Sequence, residues 1–175
     1  MRKMLAMLLL VLPMGLCGAQ SSTPSKPVEP TAIGVIFHLD PTTQTLNPLP
    51  DEHQTQVMKS CGVGGACSAI EVSGKGSAFR LKTDDKLEFH FNTGSPEKVS
   101  LFRFELKKNN RRLVLEKLAR PKFGTGFTTE EFRGLPVVVS KFGTSSYQLV
   151  PASPLTPGEY AILIAGEVFT FGVDQ

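Results

Sequence analysis

Apolar and polar positions alternate along this chain in short stretches, and each stretch stops at Gly, Pro, Asn or Asp. Period two is the spacing of a β-strand, whose successive side chains point to opposite faces. The clearest run lies near the end of the sequence. Tyr160, Ile162 and Ile164 share one face and Ala161, Leu163 and Ala165 the other, so the strand is apolar on both sides and belongs in the interior. Before it, Leu155-Thr156-Pro157-Gly158 supplies a turn, with proline presetting φ and glycine free to take φ > 0. After it, Gly166-Glu167 fits a two-residue type II′ loop that returns the chain through residues 168–173.

The same pattern can be followed upstream. Ile33, Val35, Phe37 and Leu39 alternate with Gly34, Ile36 and His38, and a turn at residues 40–43 leads to a short partner over 45–49. A short strand around 56–59 precedes strands over 69–73 and 78–82, which flank the Gly74-Lys75-Gly76 turn. Leu87, Phe89 and Phe91 alternate with Glu88, His90 and Asn92 as a half-buried strand. Residues 99–108 and 111–119 read as a hairpin about Asn109-Asn110, which suit a type I′ turn. Thr128-Thr129-Glu130-Glu131 starts a single helical turn, and residues 135–141 and 147–150 are strands. About nine or ten short strands at intervals of roughly 8 to 12 residues, with no longer helix, predict an all-β antiparallel fold, a sandwich or a barrel. The closing corner favours the sandwich.

Length places this in one domain, because 175 residues bury a sizeable core but do not divide comfortably in two. Residues 1–19 are read as a secretory signal peptide. Arg2 and Lys3 form the basic end, residues 5–12 the apolar stretch, and Cys17-Gly18-Ala19 a small-residue cleavage site before Gln20. Pro13 interrupts the apolar run, which falls short of the roughly 20 residues a membrane span needs. The alternative, a lipoprotein anchored through Cys17, has the bulky Leu16 directly before the cysteine against it. Residues 20–30 are a polar, Pro-rich flexible linker, and 31–175 form the β-domain. An exported protein, periplasmic or extracellular, is expected.

Cleavage also changes the charge and cysteine counts. Without Arg2 and Lys3, 19 basic residues become 17 against 16 acidic ones, a net of +1, so the basic pI of the full chain says little about partners. Without Cys17, Cys61 and Cys67 remain as an even pair in an oxidising compartment, which predicts a disulfide. Three of the five residues between them are glycine, which permits the tight bend. Cys-x5-Cys is neither the Cys-x-x-Cys redox spacing nor half of a zinc site.

His38, His53 and His90 are scattered and lack the spacings of common metal sites. No Gly-x-Ser-x-Gly elbow, His-Glu-x-x-His, Walker loop or Rossmann fingerprint occurs, so no catalytic residue, cofactor or metal ligand is assigned. The charge distribution is more informative. Residues 98–122 hold nine basic residues against Glu105 and Glu116, a net of +7, which leaves −6 for the rest of the mature chain. Lys107, Lys108, Arg111 and Arg112 fall at the predicted hairpin tip. There they either attract an anionic envelope polymer, lipid headgroups or an acidic protein face, or only solvate the tip and block edge pairing. Nucleic acid is disfavoured by the compartment.

Leu155-x-Pro157-Gly158-x-Tyr160 resembles the tyrosine corner of immunoglobulin-like sandwiches, in which a tyrosine after a turn bonds back to the corner backbone. The chain departs from antibody domains in having no Trp and in carrying Ile162, not Cys, two residues after the tyrosine. Pro-Gly-Glu-Tyr followed by Gly-Glu-Val-Phe-Thr-Phe is similar to the end of a group of secreted bacterial proteins of uncharacterised function. Their earlier segments resemble residues 74–81 and 101–108 here. The resemblance implies an immunoglobulin-like β-sandwich and export, and brings no catalytic residues. The expected function is a non-catalytic binding or interaction module of the bacterial envelope. The alternatives are an extracytoplasmic hydrolase, marked by a polar pocket joining His38 or His90 to a carboxylate, and a structural accessory of an envelope assembly, marked by a flat apolar sheet edge.

Overall fold

The computed structural model describes residues 28–61, 65–119 and 128–175. The predicted signal peptide and residues 20–27 of the predicted linker lie outside them. In chain order the strands are β1 (Ile36–Leu39), β2 (Leu46–Pro48), β3 (Gln54–Ser60), β4 (Ala66–Ser73), β5 (Arg80–Lys82), β6 (Phe89–Asn92) and β7 (Ser100–Arg103). Then come β8 (Glu105–Leu106), β9 (Asn110–Ala119), β10 (Thr128–Glu131), β11 (Val137–Phe142), β12 (Ser146–Pro151), β13 (Gly158–Ile164) and β14 (Glu167–Asp174). One short 3₁₀ turn, Pro96–Lys98, separates β6 from β7. Apart from that turn, the regular structure of the described residues is all β, as their alternation requires.

The strands form three sheets where two were expected. A front sheet has the order β11-β12-β6-β1-β2, a central sheet β5-β14-β13-β7, and a back sheet β10-β9-β4-β3, with β8 also on β9. The ladders are antiparallel except β5 on β14, which run parallel with Arg80 opposite Gly172.

The doubly apolar strand explains the layering. Tyr160, Ile162 and Ile164 of β13, with Phe169, Phe171 and Val173 of β14, pack into one core with Ile36, Phe89, Phe91 and Leu149 of the front sheet. Ala161 and Val168 point the other way and cluster with Ile70, Val72 and Leu113 of the back sheet and with Phe104. A strand polar on one side would leave the third layer nothing to cover. Each buried Val, Leu, Ile or Phe side chain among them stabilises by about 1.5–3 kcal/mol on full burial.

Several local expectations change. The β13–β14 loop is Ala165-Gly166, with φ of 52° and 92°, so it is a type I′ loop one residue earlier than the predicted II′ loop. Its twist matches that of the strands it joins. The predicted strand over 99–108 breaks at Phe104. β7 pairs with β13, Phe104 N donates to Glu159 O at 2.9 Å, and the chain then crosses to the back sheet as β8. The predicted hairpin survives only as two residue pairs, Glu105–Arg112 and Leu106–Arg111. Its loop closes where Lys107 N donates to Asn110 O, and no residue of it has positive φ, so it is not type I′. Thr128–Glu131 is strand β10 on β9 and not a helical turn. The long β9 offers it a ladder, and two adjacent threonines favour extended backbone over a helix. Glu29 and Pro30, assigned to the linker, belong to the fold: Pro30 is buried and Glu29 bonds to the β11–β12 turn.

The tyrosine corner is present. Tyr160, 1% exposed, donates its hydroxyl to Thr156 O at 2.6 Å, with Leu155 buried beneath the bend and Pro157-Gly158 turning the chain into β13.

Candidate functional site

One extended segment, residues 132–136, stitches the three layers together along a flank. Phe132 N donates to Leu115 O of the back sheet at 2.8 Å, and Leu135 N donates to Leu101 O of the central sheet at 2.6 Å. Pro136 O then accepts from Ala152 N, just beyond β12 of the front sheet, at 2.9 Å. A Cβ on Gly134 would stand 2.7 Å from Leu101 O, so the close approach depends on glycine.

A trough follows this segment. It consists of three clefts joined by shared walls. The first, of about 170 Å³, lies between Phe102, Leu113 and Phe132 and is edged by Arg103, Arg112 and Arg133. Arg103 and Leu135 carry it into a second cleft of about 160 Å³ over the tyrosine corner. Ser153, Pro154 and Leu155 carry that into a third, of about 280 Å³, ending at Asp85 and Lys86. The floor is aliphatic, prolyl and aromatic, and four cations stand along it against Asp85 and Glu105.

Local structure sets what each cation can offer. Arg103, opposite Tyr160 in the β7–β13 ladder, lays its guanidinium 5.9 Å from the ring centroid and gives one N–H to Pro157 O at 2.9 Å. A guanidinium has five N–H donors, so the corner orients this one without saturating it. Arg133 is exposed and has no ion-pair partner among the described residues. Arg112 donates through Nε to Glu71 at 2.8 Å. Lys59, 2.9 Å from Glu71, holds that carboxyl below its usual range, with Arg112 and Asn110 adding to the effect. Lys86 pairs with Glu88.

The predicted basic patch does not form as one surface. Lys108 is exposed and Lys107 pairs with Glu105 at 2.8 Å. Arg112 is half-buried and paired, and Arg111 is 0% exposed. Period two separates the last two: Arg111 falls in line with Leu113 and faces the central sheet, while Arg112 faces away. That signal was present in the alternation. The predicted disulfide joins Cys61 to Cys67, with Cα atoms 5.7 Å apart, at the loop end of the β3–β4 hairpin.

Arg111 is the centre of a buried polar network between the central and back sheets. It pairs with Glu52, donates to Ser73 O at 3.2 Å, lies 3.7 Å from Glu159 Oε2 and covers the Phe104 ring at 5.4 Å. Glu52 arrives because residues 50–52 run beside β14, with Thr170 N donating to Pro50 O and Glu52 N to Val168 O. Glu159 accepts from Ser77 N at 2.7 Å and pairs with Arg80, which also grips Asp174 through two N–H groups. Those bonds hold Asp174 below, and Arg80 above, their usual pKa values.

His90 and Glu88 are joined at 3.0 Å, but both are buried and neither lines the trough. Burial holds His90 below its usual pKa against the opposing pull of Glu88. Burial pushes Glu88 upward, and its bonds to Lys86 and His90 outweigh this and leave it lowered. His38 is also buried, between Phe79 and Phe89, with Nε2 at 3.3 Å from Lys86 O. Among the described residues no group of three or more His, Cys, Asp or Glu is placed to hold a metal ion, and no helix is long and apolar enough to cross a membrane.

No protein-family model, curated protein or solved structure matches the chain.

Proposed function

We propose that this chain is an exported, non-catalytic binding module of the bacterial envelope, and that its flank trough holds an extended anionic chain. The row of Arg133, Arg112, Arg103 and Lys86 over a continuous shallow floor carries this reading. Shallow clefts in series suit a polymer, which engages several weak sites at once. Guanidinium groups suit carboxylate or phosphate repeats, which they can grip through paired N–H donors. The disulfide supports the export half of the proposal, because such bonds persist in oxidising compartments.

Binding to polyphosphate and to poly-glutamate, followed by calorimetry at low and at physiological salt, tests the reading. Arg103→Gln combined with Arg133→Gln is expected to weaken binding at least about tenfold, roughly 1.4 kcal/mol, and added salt to weaken the native protein as exposed charges are screened. Lys108→Gln, away from the trough, is expected to change little. Equal affinity for the double variant and the native chain would remove the trough from consideration.

A second reading, the structural accessory, is favoured by β11. This edge strand of the front sheet exposes 57% of Val138 on one face, and on the other Val137 and Val139 line a groove of about 400 Å³ with Val99 and Tyr147. Strand addition there would be blocked by Val138→Lys with the trough untouched.

A further inference from the structure

The turn between β11 and β12 holds a carboxylate. Gly143 has φ of 67°, and the N–H groups after it converge on one oxygen, Glu29 Oε2: Thr144 N donates at 2.9 Å and Ser145 N at 3.2 Å. The buried Ser146 hydroxyl stands 3.1 Å from the same oxygen, a position it shares with Phe142 O. Successive N–H groups around a left-handed residue make an anion-binding concavity, and bonds from them to an ionised acceptor are stronger than neutral ones. A Cβ on Gly143 would fall on the Glu29 carboxyl group, so this position needs glycine both for its φ and for the space.

The occupant comes from the far end of the chain. Between Glu29 and β1 the segment crosses the end of the front sheet, where Gly34 N donates to Asn92 O at 2.9 Å and Ile33 bridges to Asn92. Pro30 is buried, while Val28 and Ile33 are largely exposed. Apart from Pro30, the side chains of residues 28–33 bring little apolar burial to the strap. Segments of that kind open locally far below the cost of global unfolding.

We propose that the turn at residues 143–146 is a carboxylate receptor that the chain fills with its own Glu29, and that a glutamate-proline segment of an incoming peptide can displace the 29–34 strap from it. Peptide, and not a small anion, is the ligand because the bound carboxylate arrives with Pro30 seated beside it. This site is separate from the trough and stands or falls without it.

Amide NMR on the full chain carrying Glu29→Ala tests the proposal, with a peptide of the sequence of residues 27–34 added in trans. Saturable shifts at Thr144 and Ser145 are expected. The same peptide with glutamine for its glutamate should bind at least about tenfold more weakly, a difference of about 1.4 kcal/mol. The native chain, whose site is already filled, should also respond at least about tenfold more weakly. Glu29→Gln, which keeps the side-chain shape, should bind the peptide as Glu29→Ala does. Absence of shifts at Thr144 and Ser145 in both variants would overturn the proposal, and so would equal affinity for the glutamine peptide.

Discussion

The central sheet has two interfaces made by the same strands, and they are held by different forces. Toward the front sheet, β14 offers Phe169, Phe171 and Val173, and rings meet there, Phe89 tilted against Phe171 at 4.8 Å and Tyr160 stacked on Phe171 at 5.5 Å. Toward the back sheet it offers Val168, Thr170 and Gly172, and an ionic network lies beside a smaller apolar cluster. Gly172 is bare because Arg80 lies across it. Apolar contacts are non-directional, so the front interface yields by degrees. A buried charge is stable only with its partners in place, so the back interface fails abruptly when one partner is removed. The apolar side gathers the larger set of buried hydrophobic side chains.

The largest effect is expected from Arg111→Ala, which leaves Glu52 and Glu159 facing the lost charge and should cost about 3–5 kcal/mol in urea unfolding. The triple change Arg111→Met, Glu52→Gln, Glu159→Gln, which removes the partners' charges together with that of Arg111, should recover most of that loss. Ile162→Val on the apolar side should cost only about 0.5–1.5 kcal/mol, and Tyr160→Phe, which removes the bond to Thr156 O, about 1 kcal/mol.

Acid should act in two stages. His90 has its pKa lowered in the fold from 6.5, so its contribution is complete above that value and is lost as pH falls through the folded pKa, where the buried ring must take up a proton. Glu71 and Glu88, lowered from 4.5, keep their contributions above that value and lose them as pH falls through their folded pKa values. His90→Gln should erase the first stage in a pH series of thermal melts and leave the second. The smallest effect is expected from Lys107→Ala, within about 0.5 kcal/mol, since its pair with Glu105 is a surface one.

Much of the fold could be read from alternation alone. Tyr160 to Ala165 is apolar on both faces, and an interior strand follows from that directly. The Tyr160 corner and the Cys61–Cys67 bond were also legible, because turn chemistry and cysteine spacing are local. The third sheet was not, since the break at Phe104 depends on Glu159 O, far away in the chain, accepting its N–H. The candidate site was legible only in part. Residues 98–122 showed a basic cluster, but burial divides it, sending Arg111 inward and leaving Arg103 to the trough. Arg133 joins them only because residues 132–136 cross all three layers, a path set by backbone bonds that no local pattern announces.

Thiol labelling of Val168→Cys under native conditions tests the three-layer arrangement most directly, with Val138→Cys as the exposed control. Val168 is fully buried because the back sheet covers that face of β14. A covered thiol should react only as fast as the chain opens, orders of magnitude more slowly than the control. Labelling at the rate of the control would mean that this face meets solvent and that the central sheet has a single packed side.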